Sequence, residues 1–445
     1  MNPINIIQDR AKQKKQKNFL LIANGLIIGI LIIWLTLGNL LVAYLEQPML
    51  KAQAEFLQRF PKRDANASVI KLRELISRLE LYNKLEPEKS IQVGFGDYTE
   101  KLRTANSQIS PIPQDLKNYL ASQSTFIKEI ITLLKKEPQK FELTDLSKAF
   151  TDPVEFANIG LPSFLNLASL QRVLLVEAIQ QYQSGQIQKV FDVLTASWNL
   201  NLSLQEESSL ISQLAALILY TDQLAFLRKT ILPIEVPQLA KPNYQKTLLP
   251  AIEFESLFVA NLMQIASSEI IQPTKYEINK RSPSLFERLL LPFQLPYFSL
   301  SGIDYWEKNM QRLKKVKDQD ISLFDPEALR KETKASFAWW NVSGRSQDVL
   351  LEQLRKPYRR LLEWEFTQKI LQAKAEALKT GKLPSTLQGT ESSSILKTLQ
   401  YDYQVTDNGQ TMTIQMQNLP KWYVYEKSDL SITHSFTLNS IQLPK

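Results

Sequence analysis

Residues 19–45 read FLLIANGLIIGILIIWLTLGNLLVAYL, and not one of them carries a charge. About 20 apolar helical residues cross the hydrocarbon core of a bilayer, and this run is longer than that. Arg10, Lys12, Lys14, Lys15 and Lys17 stand just ahead of it, opposed only by Asp9. A cleaved secretory signal has an apolar stretch of roughly 7–15 residues followed by a small-x-small site. Here the stretch is longer, and Leu45-Glu46-Gln47-Pro48 offers no such site. The reading is an uncleaved signal anchor. Cationic flanks stay in the cytoplasm, so a single-pass protein of a plasma or bacterial inner membrane is expected, with residues 1–18 cytoplasmic and the bulk extracytoplasmic (periplasmic). Lipid around residues 19–45 is the first partner implied. Within the run, Gly25 and Gly29 form one G-x-x-x-G, a spacing that lets two helices approach closely, so a homodimer through this face is the alternative to a lone span.

The net charge of +8 invites a nucleic-acid reading. The amino-terminal tail alone supplies half of it, and the remainder interleaves acids and bases with no basic stripe, so no nucleic acid is expected as partner. There is no cysteine, which removes disulfides, thiolate nucleophiles and lipoprotein processing together. With a single histidine, His434, a zinc site lacks ligands. No cofactor and no metal are implied.

Helical periodicity dominates the rest. Leu50, Ala54, Leu57 and Phe60 mark a stalk over 46–61 after a kink expected at Pro48. A mainly helical body then covers 62–348. In it, Leu72, Leu75, Ile76 and Leu79 repeat as an amphipathic helix with Asn66 as N-cap, and 91–99 (IQVGFGDYT) reads as irregular. Pro113 opens a further helix. Over 162–231 three helices follow, one ending at Ser184-Gly185 and the last, from Leu210, apolar nearly all round. Residues 289–300 (LLLPFQLPYFSL) are too short and too proline-broken for a second span; a buried connector is the expected reading, a dip into lipid the other. From 349 to 445 a long helix, bent at Pro357 and ended by Gly381, gives way to period-2 alternation. Tyr401, Tyr403 and Val405, then Asp407-Asn408-Gly409, then Met412, Ile414 and Met416 spell a β-hairpin. Residues 422–425 and 432–438 read as two more strands. The fold class is therefore mainly α: an N-terminal transmembrane helix, a helical-bundle extracytoplasmic body and a small C-terminal antiparallel sheet.

The ending, a long helix, Thr380-Gly381-Lys382-Leu383-Pro384, then Tyr401-Asp402-Tyr403 and a glycine turn, resembles the head of type II secretion pseudopilins. The same ending occurs in uncharacterised bacterial proteins with an amino-terminal anchor, whose middle is similar to 162–231. The resemblance implies a membrane-tethered interaction or assembly element. A prepilin also needs a glutamate just inside its apolar helix, and 19–45 has none. Ser68-Val69-Ile70-Lys71, Ser197-Trp198-Asn199 and Lys379-Thr380-Gly381 resemble, in order, the three motifs of penicillin-binding proteins. That likeness implies an acyl-enzyme in which Ser68 attacks a carbonyl and lysines assist. Against it, S-x-x-K recurs at Ser394 to Lys397, and Lys379-Thr380-Gly381 has the chemistry of a helix C-terminus. His434 falls on the apolar face of a strand. Glu363 and Glu365, like Glu253 and Glu255, are i, i+2 pairs that point apart. No residue is assigned a catalytic role, and the expected function is non-catalytic. Trp339-Trp340, after Phe337, have the chemistry to stack on sugar rings, against the ordinary reading of a core aromatic cluster.

Overall fold

The computed structural model describes residues 3–81, 91–103, 109–136, 139, 146–152, 164–206, 209–232, 241–269, 285–318, 325–341, 351–424 and 432–438. The chain divides into two compact units. The first comprises Met1–Gln58, Ser256–Asn309 and Ser336–Gln347, the second Arg59–Glu255, Met310–Ala335 and Asp348–Lys445.

The first unit is built on α1 (Pro3–Arg59), which runs through the whole apolar stretch. The helix continues past Pro48, so the anchor and the residues expected as a stalk lie in one element that ends at Arg59. Over this helix an 18-residue window reaches a mean hydropathy of 2.5 with only 6% of it buried. Leu21, Ile22, Leu26, Ile30 and Leu40 are all more than 60% exposed. The partly covered positions Leu31, Leu35, Gly38, Val42, Glu46 and Met49 recur every three or four residues, a single stripe. Gly25 and Gly29 have nothing near them.

Two further helices, α10 (Tyr244–Glu269) and α11 (Leu285–Asp318), contribute their adjoining halves to this unit. They touch at Gly302, where a Cβ would stand 2.5 Å from the Ala260 carbonyl oxygen, so only glycine fits. Residues 289–300 are not irregular. They are helical, with Pro292 and Pro296 inside α11. The segment after α12 (Pro326–Ser336) folds back on α11: Phe337 is buried and stacks on Tyr305 at 6.0 Å. Asn341 Nδ2 donates to the Ser301 carbonyl at 3.0 Å and to Asp304 Oδ2 at 2.7 Å.

The second unit opens with α2 (Ala67–Arg78), whose N-cap is Asn66 with Oδ1 accepting from the Val69 N–H. Residues 91–99, read as irregular, form α3 (Ile91–Glu100). Its glycines serve close packing: a Cβ at Gly94 would press on Leu116, and one at Gly96 on the Arg172 guanidinium. Then come α4 (Gln114–Ser122), α5 (Ser124–Lys136), the single turn α6 (Lys148–Thr151), α7 (Phe164–Gln183), α8 (Ile187–Gln205) and α9 (Leu210–Lys229). One apolar core joins α2 to α9 through Leu72, Phe95, Leu116, Leu174, Val190 and Phe226. Although α9 is long and apolar enough to cross a membrane, 72% of its apolar window is buried in protein. Ile211 and Ile218 nevertheless reach solvent, so it is not apolar-covered all round.

A second core gathers around α13 (Arg355–Thr380), with Phe366, Ile370, Leu399, Met412 and Phe436. Pro357 falls in the first turn, where no helical hydrogen bond is lost, so it starts the helix instead of bending it. Gly381, at φ 74°, ends α13 and returns its N–H to the Ala377 carbonyl. Strands β1 (Gln400–Thr406), β2 (Thr411–Gln417) and β3 (Thr433–Thr437) form an antiparallel sheet in that order. Tyr403 faces Ile414, and Ile414 faces His434. The hairpin turns through Asp407, Asn408 and Gly409, all at positive φ, the conformation these three residue types tolerate best. The strand expected over 422–425 is instead a helical turn, α14 (Lys421–Val424), in which neighbours Trp422 and Tyr423 are both buried.

Candidate functional site

Asp222 is the single charge in α9 between Leu210 and Leu227, and it is 1% exposed. Arg103, in the turn after α3, donates to its Oδ1 at 2.6 Å. Where α9 meets α13, more buried charges follow. Arg360 donates to both Glu363 oxygens at 2.7 and 2.8 Å, with Glu363 only 1% exposed. Arg359 approaches the same carboxylate at 4.0 Å and lies over the Tyr423 ring at 4.9 Å. Arg228 donates to Thr367 Oγ1 at 3.0 Å. Lys374 donates to the Arg228 and Thr230 carbonyls, closing the end of α9, and stands 4.2 Å over the Phe436 ring. The bonds of Arg228 and Lys374 tie α9 to α13, with an ion pair on either side of the seam, Arg103–Asp222 at α9 and Arg360–Glu363 within α13.

The electrostatics follow from burial. Asp222 is raised by burial against the pull of Arg103, Arg172 and Arg360. Burial lowers Arg103 too, yet its bond to Asp222 leaves it raised. With a 2.6 Å bond and three guanidiniums in reach, we assign Asp222 as carboxylate. Lys374 is pushed well down by burial and Arg228. His434 is also pushed well down, by burial and then by Lys374, Arg228 and Lys229. Among the described residues its Nε2 has no hydrogen-bond partner. Beside the seam, Tyr220 lines a small cleft with Gln205, Gln213, Asn243, Thr247 and Pro357.

Glu365, two residues from Glu363, serves a different neighbour. Its carboxylate accepts from Ser393 Oγ, from Tyr401 Oη at 2.7 Å and from the Ser394 N–H at 2.6 Å, pinning the connection between α13 and β1. Removing one of these donors by Tyr401→Phe is expected to cost about 1.5 kcal/mol, read as a lowered thermal midpoint of the detergent-solubilised full chain. An unchanged midpoint would show that the carboxylate does not hold this connection.

The acyl-enzyme motifs occupy separate settings. Ser68 lies on α2, where Lys71 pairs with Glu74 at 3.4 Å. Ser197 is fully buried, and its hydroxyl accepts from the Gln171 and Gln223 amides. Lys379 and Thr380 are exposed at the end of α13. Glu253 is paired with Arg59 at 2.5 Å, whereas Glu255 is raised by burial beside the Leu210 backbone. Among the described residues no group of acidic or imidazole side chains is placed to hold a metal ion.

No family model, curated protein or solved structure matches this chain.

The charged seam escapes sequence reasoning because α13 carries charges on every face. Asp222 was the legible signal: one acid inside an otherwise uncharged apolar helix implies a buried cation opposite it.

Proposed function

We propose that this chain is a membrane-anchored, non-catalytic interaction or assembly element. Residues 19–45 hold it in the bilayer, its amino terminus is cytoplasmic and its body extracytoplasmic. The observation that carries the reading is the outward-facing apolar surface of α1, which is 6% buried over its most hydrophobic window. In water such a surface is costly at ~25 cal/mol per Å²; in hydrocarbon it is at home. The basic residues before it supply the orientation.

Membranes from cells making the full chain test this reading. The chain is expected to stay with the membrane through alkaline carbonate extraction, with an intact mass beginning at residue 1. Protease added to spheroplasts should digest the body. Release by carbonate, or mature material beginning after residue 45, would refute the anchor; a body protected until lysis would reverse the orientation.

A further inference from the structure

Within the first unit, the proline-broken part of α11 lies against the apolar stretch of α1. Trp34 Nε1 donates to the Phe293 carbonyl at 2.8 Å. One turn on, the Pro296 ring fills the space beside Gly38, where a Cβ would stand 2.8 Å from Pro296 Cβ. A hydrocarbon core needs about 20 helical residues, and every window of that length inside residues 19–45 contains both Trp34 and Gly38. Whatever depth the anchor adopts, Trp34 is within the core, roughly 16 Å along the helix from Leu45. A segment in side-by-side contact with it shares that depth.

The chemistry of the segment fits. Residues 289–303 carry no charge, with Glu287 and Arg288 setting the deep end of the stretch, and extend about 20 Å as a helix, enough to enter a core of about 30 Å but not to cross it. Pro292 and Pro296 interrupt its hydrogen-bond ladder. Such a backbone is tolerated in hydrocarbon where neighbours supply partners; the prolines free the carbonyls of Arg288 and Pro292, and Trp34 donates to the adjoining Phe293 carbonyl. The contacts occur in the same order along both helices, Trp34 before Gly38 and Phe293 before Pro296, so α11 runs parallel to the anchor there. Its later residues then emerge where the anchor does. At that level Trp339 is 82% exposed, held by the Tyr297 hydroxyl on the Trp340 carbonyl at 3.1 Å and by Asn341 on Ser301. Tyr44 is 77% exposed. Exposed Trp and Tyr at the end of a span mark the headgroup boundary.

We infer that residues 289–300 form a second membrane-embedded segment, inserted beside the anchor in the half of the bilayer nearer Leu45, with Trp339 at its edge. The partner is the lipid hydrocarbon, and the inference rests on the anchoring proposed above.

The absence of cysteine makes a nitroxide scan direct. Gln294→Cys, on an exposed position of α11, Ile33→Cys on the anchor and Glu391→Cys in the second unit are spin-labelled in the full chain reconstituted into phosphatidylcholine vesicles. Collision with oxygen and with a water-soluble nickel chelate is then read at each. Insertion predicts that positions 294 and 33 both favour oxygen several-fold over nickel, relative to position 391. Nickel access at 294, or closure of 294 to both reagents, with 33 still favouring oxygen, overturns the insertion and leaves the anchor standing. Nickel access at 33 overturns the anchor itself, and the insertion with it.

Discussion

Glu363→Ala is expected to destabilise the second unit by about 3–5 kcal/mol, the cost of breaking a buried ion pair from one side. Glu363 accepts two hydrogen bonds from Arg360 and has Arg359 at 4.0 Å. It is also the anion that supports Arg228, which burial pushes down. Deleting the carboxylate takes this counter-charge from Arg360 and Arg228 in a buried setting. Water cannot replace it cheaply, because Glu363 and Arg359 are each less than 5% exposed. Removing the pair together is a different matter. A buried ion pair exchanged for well-packed apolar residues is often neutral, so Arg360→Leu combined with Glu363→Leu is expected to recover the share of the loss that belongs to Arg360, while Arg359 and Arg228 still lack this anion. Thermal unfolding of the full chain in detergent reads both. A single variant within about 0.5 kcal/mol of the parent would mean that the seam is solvated and holds nothing; a double variant as unstable as the single one would place the cost in packing instead of charge.

Features fixed by local chemistry were legible in the sequence. Asn66 caps α2 because its side chain reaches the Val69 N–H three residues on. Gly381 ends α13 because only glycine enters the left-handed region freely, and Asp407-Asn408-Gly409 turns the hairpin for a related reason. Features fixed by distant neighbours were not. Residues 91–99 read as irregular, yet they form a helix in which Leu116 and Arg172 would have to shift to admit a Cβ at Gly94 or Gly96. Pro292 and Pro296 suggested a broken connector, yet α11 persists through both. Residues 422–425 read as a strand, but the two adjacent buried aromatics Trp422 and Tyr423 lie in a helical turn. The seam was hidden most of all: Glu363 and Glu365 look alike in sequence, and only the fold sends one to arginines and the other to a serine, a tyrosine and a backbone amide.

Acid is expected to weaken the second unit through His434, the one histidine in the chain. Its ring is 4% exposed on β3, and Lys374, Arg228 and Lys229 are the charges around it. Burial and these cations hold its pKa well below the ordinary 6.5. Below pH 6.5 the unfolded chain therefore binds a proton that the folded chain refuses. Proton uptake on unfolding makes stability fall with falling pH, by up to about 1.4 kcal/mol per pH unit, until the folded pKa is reached. Above 6.5 both states are neutral and this contribution is flat. Buried carboxyls act in the opposite sense: Asp222, Glu177 and Glu255 are all raised by burial and so favour the folded state as pH falls through their own range. His434→Asn separates the two. Asparagine offers an amide N–H for the bond that the ring makes to the Arg228 backbone, and it does not titrate. Unfolding free energies of parent and variant, measured from pH 7.5 to 5, should diverge only below about pH 6.5, the parent losing more. The imidazole carbon-bound protons of the parent should show no titration over the same interval. A ring that titrates near 6.5, or two parallel stability curves, would mean that water reaches His434 and that the cations around it exert no pull.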